Sequence, residues 1–434
     1  MGEKQRVLVV GAGPAGMIAA VAAAAAGAAV TVIDKNEKPG LKLRITGKGR
    51  CNITNACDTV EELLANIPTN PRFLYSAFSK FLPKDTIAFF EGAGVPLKTE
   101  RGRRVFPASD SAHDVADALV RVCKKKGVRF LTERVICVII TDGEVRGVQT
   151  QSGDILPADA VVIATGGKSY PKTGSTGDGY TLAEQAGHTI VPPTPSLVSL
   201  ICHEACCADL MGLSLRNTAL QVLDSKTGKT VFSDFGELLF THFGVSGPMA
   251  LSASAHLRPM EPMRYTLLLD LKPALPPDKL DARILRDFAA NQSKTFPNAL
   301  HALLPKSLVP VIVKRSGIPP ALPVAQITGK QRLALGSLLK AFPLTVKGFR
   351  PIEEAIVTSG GVCVRELDPK SMQSKLCAGL YFAGEVLDAD AYTGGFNLQI
   401  AWSTGHLAGV SAGNAPTGHN ALSGHNAPTG HRAP

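Results

Sequence analysis

Three glycines in the run Gly11-Ala12-Gly13-Pro14-Ala15-Gly16 have the spacing needed to hold a pyrophosphate. Gly11 permits a tight turn, Gly13 lets the backbone approach a phosphate, and Gly16 lets the following helix pack closely on its strand. A helix opening at Pro14 aims unpaired N–H groups and a positive dipole end at the same point. Asp34 follows Gly16 by 18 residues, where its carboxylate can accept bonds from the ribose hydroxyls of an adenosine. A glycine turn in any βαβ unit would account for the glycines alone. It does not account for the strand before them, the helix after them and the acid closing the next strand. The chemistry expected here is dinucleotide binding by Gly11, Gly13, Pro14, Ala15, Gly16 and Asp34.

The elements around these residues support that reading. Val7 to Val10 is a short apolar run ending in glycine, a buried parallel strand. Residues 14–26 are rich in helix formers, and residues 29–33 form a second strand, which completes a βαβ unit. A basic, loop-rich segment runs from Lys35 to Asn55. Helices are expected at 59–67, 71–80, 83–93 and 112–126, and strands at 128–131, 134–141, 144–151 and 159–164. Pro192, Pro193 and Pro195 mark a domain junction. Residues 196–272 read as mixed strands and 278–340 as mostly helical. Near Glu353 short strands and glycine turns return, followed by a helix at 398–411. The expected class is α/β: a doubly wound, Rossmann-like domain (1–195 and 353–412) interrupted by an inserted domain (196–352).

Two later blocks favour FAD over other dinucleotides. In Val161 to Gly167 an apolar strand runs into Ala164, Thr165 and Gly166. In Gly379 to Glu385 a strand ends in Gly384 and an acid, which can place the Glu385 carboxylate near a ribityl chain.

Over roughly residues 5–412 the chain resembles the BaiN/RdsA-type, or aminoacetone-oxidase-like, FAD-dependent oxidoreductases. The resemblance rests on Gly47-Lys48-Gly49-Arg50-Cys51-Asn52-Ile53-Thr54-Asn55, Gly102 to Ser109, Ser169 to Gly179 and Glu237 to Pro248. It continues through Thr358 to Gly361 and Gly379 to Gly405. Lys48 and Ala391 stand where glycines are usual, and Ala391 would be strained if its position required positive φ. The resemblance implies an inserted domain made of a small β-barrel and a helical part. It adds Lys35, Lys42, Gly49, Arg50, Cys51, Asn52, Thr54 and Val135 to the cofactor contacts. Gly395, Asn397, Leu398 and Gln399 join them, with the amides of the last helix facing flavin N1 and O2. It also implies reduction of a carbon–carbon double bond conjugated with a carbonyl. NAD(P)H is the expected transient electron donor, and a protein acid would protonate the α-carbon. Cys51, His242 and Tyr392 are the candidate acids. Cys51 also reads as a small packing residue, and His242 as a partner for a loop carbonyl.

Composition bounds the partners. The 434 residues carry 46 Lys and Arg against 36 Asp and Glu, a formal net charge of +10. A solvated basic surface and an acidic partner both explain this excess. Arg101, Arg103, Arg104, Lys124 to Lys126, Lys314, Arg315, Lys330, Arg332, Lys340, Lys347 and Arg350 form the basic clusters that phosphate contacts need. They tilt the reading towards RNA; of the substrates the resemblance implies, uridine in 23S ribosomal RNA is then favoured, with ribosomal RNA or its precursor particles as partner. The alternatives are a small enone such as a dehydro-bile acid, or a flavin-bound ribosome-associated protein without turnover. Nine scattered cysteines fit a reducing cytoplasm rather than a disulfide framework. Cys51 and Cys57 lack the four-residue spacing usual in flavin disulfide reductases. The N-terminal apolar run is broken by glycines and Pro14, so it reads as a βαβ unit rather than a signal segment. No stretch suits a membrane span. The GHNA repeats of residues 413–434 read as a disordered tail; their histidines could bind metal only as the less favoured alternative.

Overall fold

The computed structural model describes residues 4–415. The chain forms two units, with the divisions after Thr194 and after Ile356.

The first unit is built on a five-stranded parallel sheet. Its strand order is Leu380–Phe382, Ala160–Ile163, β1 (Arg6–Val10), β2 (Ala29–Asp34) and Arg129–Thr132. Val9 lies between Val162 on one side and Val32 on the other. The central strands are apolar over most of their length, Val7 to Val10 in β1 and Ala160 to Ile163 beside it, because both faces of the sheet are covered. The step from β1 to its neighbour β2 is made by α1 (Pro14–Ala25). Parallel neighbours require such a crossover.

Helix α1 has almost no polar face, and most of it is buried. The cause lies nearly four hundred residues away in the final helix, Phe396–Gly413. Its Gly405, Gly409 and Gly413 recur every fourth residue and meet Ala15, Ala19 and Ala23 of α1. A Cβ at Gly409 would lie 2.2 Å from the Ala19 carbonyl oxygen, so only glycine permits this approach. The helix ends at Gly413, which had been assigned to the tail. The rest of that tail, residues 416–434, lies outside the described residues.

Two segments hold more regular structure than expected. The segment from Lys35 to Asn55 is not all loop: it holds a short helix, Leu41–Ile45, and a turn at Thr46–Gly49. The proline-rich junction holds a strand, Ile190–Ser196, paired with Val357–Val362, and the division between the units falls within it, after Thr194. Prolines are tolerated there because a two-stranded sheet leaves one side of each strand without a ladder.

The second unit contains a closed six-stranded barrel. Its order is Leu200–Cys202, Gly244–Ser246, Thr230–Thr241, Ser214–Asp224, Tyr265–Asp270 and Phe342–Phe349. Thr218, Leu220, Val222 and Asp224 alternate inward, and a register shift between Leu215 and Thr218 interrupts the period. Asp224 is buried because Arg264 binds both its oxygens, at 3.1 and 2.8 Å. Helices Pro277–Ala289, Phe296–Leu300, Leu308–Ser316 and Gly329–Lys340 fill the interval before the last barrel strand. No helix among the described residues is long and apolar enough to cross a membrane.

Candidate functional site

The glycine turn has the geometry its spacing predicts. Gly11 adopts φ +107°, and a Cβ there would lie 2.5 Å from the Ala164 carbonyl oxygen. A Cβ at Gly16 would lie 1.9 Å from the Gly11 carbonyl oxygen, so α1 can touch β1 only through glycine. Gly13 precedes the helix and has one neighbour, Ala164 O, at 4.0 Å, which leaves its other side open to a ligand. Asp34 accepts from the Ala12 amide at 2.6 Å, the Asn36 amide at 2.8 Å and Asn36 Nδ2 at 2.9 Å. These bonds fix the carboxylate at the end of β2 and leave one lone pair, on Oδ2, for a hydroxyl donor. Ala164 closes the opposite side, its amide donating to Val10 O at 2.8 Å.

A second group forms where the sheet's C-terminal ends meet. Glu385, in the turn Gly384–Val386, accepts from Lys42 Nζ at 2.6 Å, Ser169 Oγ at 3.0 Å and the Thr358 amide at 2.9 Å. Thr358 Oγ1 accepts in turn from the Lys168 amide at 2.8 Å. Gly384 is held at φ +77° by its amide bond to Thr404 Oγ1 on the final helix. Lys42 is thus a partner of Glu385, and the network ties both to Ser169. Ser169 and Thr358 fall within the resemblance blocks but were not singled out, because their role depends on a fold that joins residues 42, 169, 358 and 385. Lys35 binds Asp178 at 2.9 Å and Thr176, and Arg134 shares that carboxylate. Val135 is buried in the apolar cluster that also holds Val10 and Ile33.

The block from Gly47 to Asn55 faces the start of the final helix. Lys48 is exposed with φ +58° and ψ +39°, a left-handed position that glycine adopts without strain. Gly49 is also left-handed, at φ +85°. Arg50, expected among the cofactor contacts, places its guanidinium against Asp110 and Glu100 and stacks over Phe106 at 4.3 Å. Cys51 is fully buried in the apolar core, and burial pushes its thiol up to about 12 against a bond from Thr46. Gln399, expected at the cofactor, is fully buried and saturated. Its oxygen accepts from Thr54 Oγ1 at 2.6 Å and Thr86 Oγ1 at 2.9 Å. Its amide donates to Phe81 O and Ser403 Oγ. Gln399 is therefore a brace between strand and helix. Asn397 clamps residues 391 and 392: it accepts from the Ala391 amide at 3.0 Å and donates to both carbonyls. Ala391 lies outside the left-handed region, so alanine is unstrained there.

What these clamps present is a helix N-terminus. Gly394 and Gly395 have φ +122° and +100°, and a Cβ at Gly395 would collide with the Thr54 backbone at 2.4 Å. The amides of Phe396, Asn397 and Leu398 belong to the first turn, where helices leave N–H groups without intrahelical partners. Tyr392 sits half-buried just ahead of that turn. His242 lies on an exposed turn of the second unit, edge-on to Phe243 at 5.0 Å.

Two polar atoms test whether these residues fit FAD. Asn52 Oδ1 and Thr165 Oγ1 are buried without a hydrogen-bond partner, a costly arrangement for an isolated protein. Both belong to the expected cofactor contacts. Together with the open face of Gly13, the fixed Asp34 carboxylate and the first-turn amides, they match a ligand with phosphates, hydroxyls and a polar ring. The residues fit FAD.

Fold and site define a flavoprotein oxidoreductase with an FAD-binding, Rossmann-type core. Residues 5–411 match the family described as HI0933-like protein Rossmann domain. The chain belongs to this family. It is 33% identical over 402 residues to the ribosomal RNA dihydrouridine synthase of Escherichia coli, covering 93% of this chain and 96% of that one. It is 31% identical over 418 residues to the 3-dehydro-bile acid delta(4,6)-reductase of Clostridium scindens, covering 95% and 100%. A flavocytochrome c3 fumarate reductase structure shares the fold with a TM-score of 0.51 at 18% identity, covering 95% of this chain and 78% of that one.

Proposed function

We propose that the protein reduces a carbon–carbon double bond conjugated with a carbonyl, using FAD with NAD(P)H as electron donor, and that its substrate is uridine in ribosomal RNA. Bound FAD would supply the two-electron chemistry. The chain would hold the cofactor's phosphates at Gly11 to Gly16 and its adenosine ribose at Asp34. Its ribityl side would lie near Glu385 and its polar ring near the amides of Phe396 to Leu398. Those amides and the helix dipole stabilise negative charge on a ring heteroatom.

Reduction adds hydride to the β-carbon and a proton to the α-carbon of the substrate. Cys51 is poorly placed to give that proton, being fully buried in apolar surroundings. Tyr392 is better placed, since it lies beside the first-turn amides and is half-buried. Replacing it with Phe is expected to slow substrate-driven oxidation of the reduced enzyme by about a hundredfold, the usual worth of a positioned acid. An unchanged rate would move the acid elsewhere.

The observation that carries the RNA reading is charge distribution. Residues 277–340 hold ten Lys and Arg against three Asp and Glu, so the inserted helices carry most of the net charge of +10. Lys279, Lys294, Lys306, Lys314 and Lys330 are exposed. A polyanion explains this concentration; a bile acid, with one anionic group, does not require it. The resemblance to the bile-acid reductase supports a small enone as the second reading. Deleting the gene and mapping dihydrouridine in large-subunit ribosomal RNA separates them. Loss of one modified position supports RNA, and an unchanged map returns the substrate to small enones.

A further inference from the structure

A hairpin beside the flavin-facing helix start has three arginines at its tip. Strands Leu97–Glu100 and Arg104–Pro107 pair antiparallel, with Glu100 opposite Arg104. The connecting residues are Arg101, Gly102 and Arg103, and the four residues from Arg101 to Arg104 are all exposed. The tip is shaped against local preference: Gly102 has φ +76° and Arg103 φ +58°, a left-handed position that costs a non-glycine residue roughly 1–2 kcal/mol.

Two bonds hold the tip. The Ala56 amide donates to Arg103 O at 2.8 Å, and Asn55 Nδ2 donates to Gly102 O at 3.0 Å. The same Asn55 nitrogen donates to Gly394 O at 3.2 Å. One side chain therefore joins the arginine tip to the glycine loop that opens the final helix.

The tip's charge is only partly neutralised. Arg103 pairs with Glu62 at 3.0 Å and Asp58 at 3.7 Å. Arg101 and Arg104 form no ion pair among the described residues. Arg104 donates to the Arg101 carbonyl at 3.0 Å and lies 5.7 Å from the Phe106 ring, contacts that orient its guanidinium without discharging it. A guanidinium oriented as that of Arg104 is can bind phosphate oxygens in pairs, and the exposed Arg101 adds a second charge beside it.

We propose that the tip Arg101 to Arg104 is a clamp for the phosphate backbone of a single RNA strand, setting the base to be reduced beside the start of the final helix. This rests on the reading of an RNA substrate above. Chemistry on a base requires that base to leave its stack, and a strand splayed in this way must be held by its phosphates. The clamp supplies that hold within one residue's reach of the reacting site. It makes Arg101 and Arg104 determinants of substrate class, because a small enone has no phosphodiester to meet them.

The test compares the FAD-loaded wild type with an Arg101→Ala/Arg104→Ala variant, using an unmodified large-subunit ribosomal RNA transcript. Binding is measured from 50 to 200 mM salt, alongside dihydrouridine yield and the rate of flavin reduction by NAD(P)H. Both side chains are exposed, so FAD content and thermal stability should match the wild type. The clamp predicts a salt slope shallower by about 1.5, hence about tenfold less salt sensitivity across that range, and a raised KM for RNA. The flavin reduction rate should not change. An Arg101→Lys/Arg104→Lys variant should restore most of the salt slope, since charge returns without the paired geometry. Wild-type conversion of RNA with an unaltered slope and KM in the Ala variant overturns the clamp and leaves the substrate reading intact. A wild type that neither binds nor converts the transcript overturns both. Equal losses on anionic phospholipid vesicles, with RNA binding unaffected, also overturn it.

Discussion

Gln399→Leu separates a brace from a cofactor ligand. Leucine nearly preserves volume, so the main loss is polar. Thr54 Oγ1 and Thr86 Oγ1 lose their shared acceptor while remaining buried. The Phe81 carbonyl keeps a bond from Ser403 Oγ at 2.7 Å, so it is not orphaned. Each buried hydroxyl left without a partner costs about 1–3 kcal/mol. Thr54 retains only a 3.4 Å contact with Asn55 O as an alternative. The expected loss is about 3 kcal/mol, which lowers the melting temperature of a unit this size by roughly 6–12 °C. Removing the stranded hydroxyls as well, in Gln399→Leu/Thr54→Val/Thr86→Val, should recover most of that loss, because replacing all partners with apolar groups of similar shape is nearly neutral. Thermal unfolding followed by flavin fluorescence and circular dichroism reads both effects. FAD affinity of the folded single variant should stay within about twofold of wild type. The reasoning is refuted if Gln399→Leu melts normally but binds FAD more than about tenfold more weakly, or if the triple variant is no more stable than the single.

Three further outcomes follow from the packing and the site. Gly409→Ala must push the final helix off α1, where the new Cβ would meet Ala19 O at 2.2 Å; a loss of about 1–3 kcal/mol and a lower FAD content are expected by melting and absorbance. Asp34→Ala removes the carboxylate expected at the ribose, and FAD titration should show binding weaker by about tenfold to a hundredfold, the worth of a charge-assisted bond. Burial lowers the pKa of His406, against the attraction of Asp85, so the unfolded chain takes up a proton that the folded chain refuses. Stability therefore falls as pH drops through 6.5 toward the folded value. His406→Phe, which keeps the stack on Phe81 at 4.6 Å, should flatten melting temperature against pH in that window.

The parts of the site that come from one contiguous stretch were legible. Gly11 to Gly16 and Asp34 sit within one βαβ unit, where spacing determines geometry, and the structure places them accordingly. Parts assembled from distant segments were not. Gln399 reads as a polar residue at a helix start, but Thr54 and Thr86 turn its side chain into the core. Arg50 reads as a cofactor contact through the resemblance, but its pairing with Glu100 from the hairpin and Asp110 from the following turn depends on the fold. Helix α1, mostly alanine with Met17, Ile18 and Val21, has no polar stripe to show which face is buried, because both faces are. The signal was present in Gly405, Gly409 and Gly413 at fourfold spacing, which marks a close helix contact but not its partner. Pro192, Pro193 and Pro195 marked the junction, and the units divide after Thr194; that the segment is a strand was not legible because its partner lies more than 150 residues further along.

The central claim is tested most directly by mixing the purified, FAD-loaded protein with NAD(P)H and unmodified large-subunit ribosomal RNA, then measuring dihydrouridine by mass spectrometry. The account predicts dihydrouridine at a defined position, formed only when FAD and NAD(P)H are both present. RNA that remains unmodified, while the same preparation reduces a conjugated steroid enone, would contradict it.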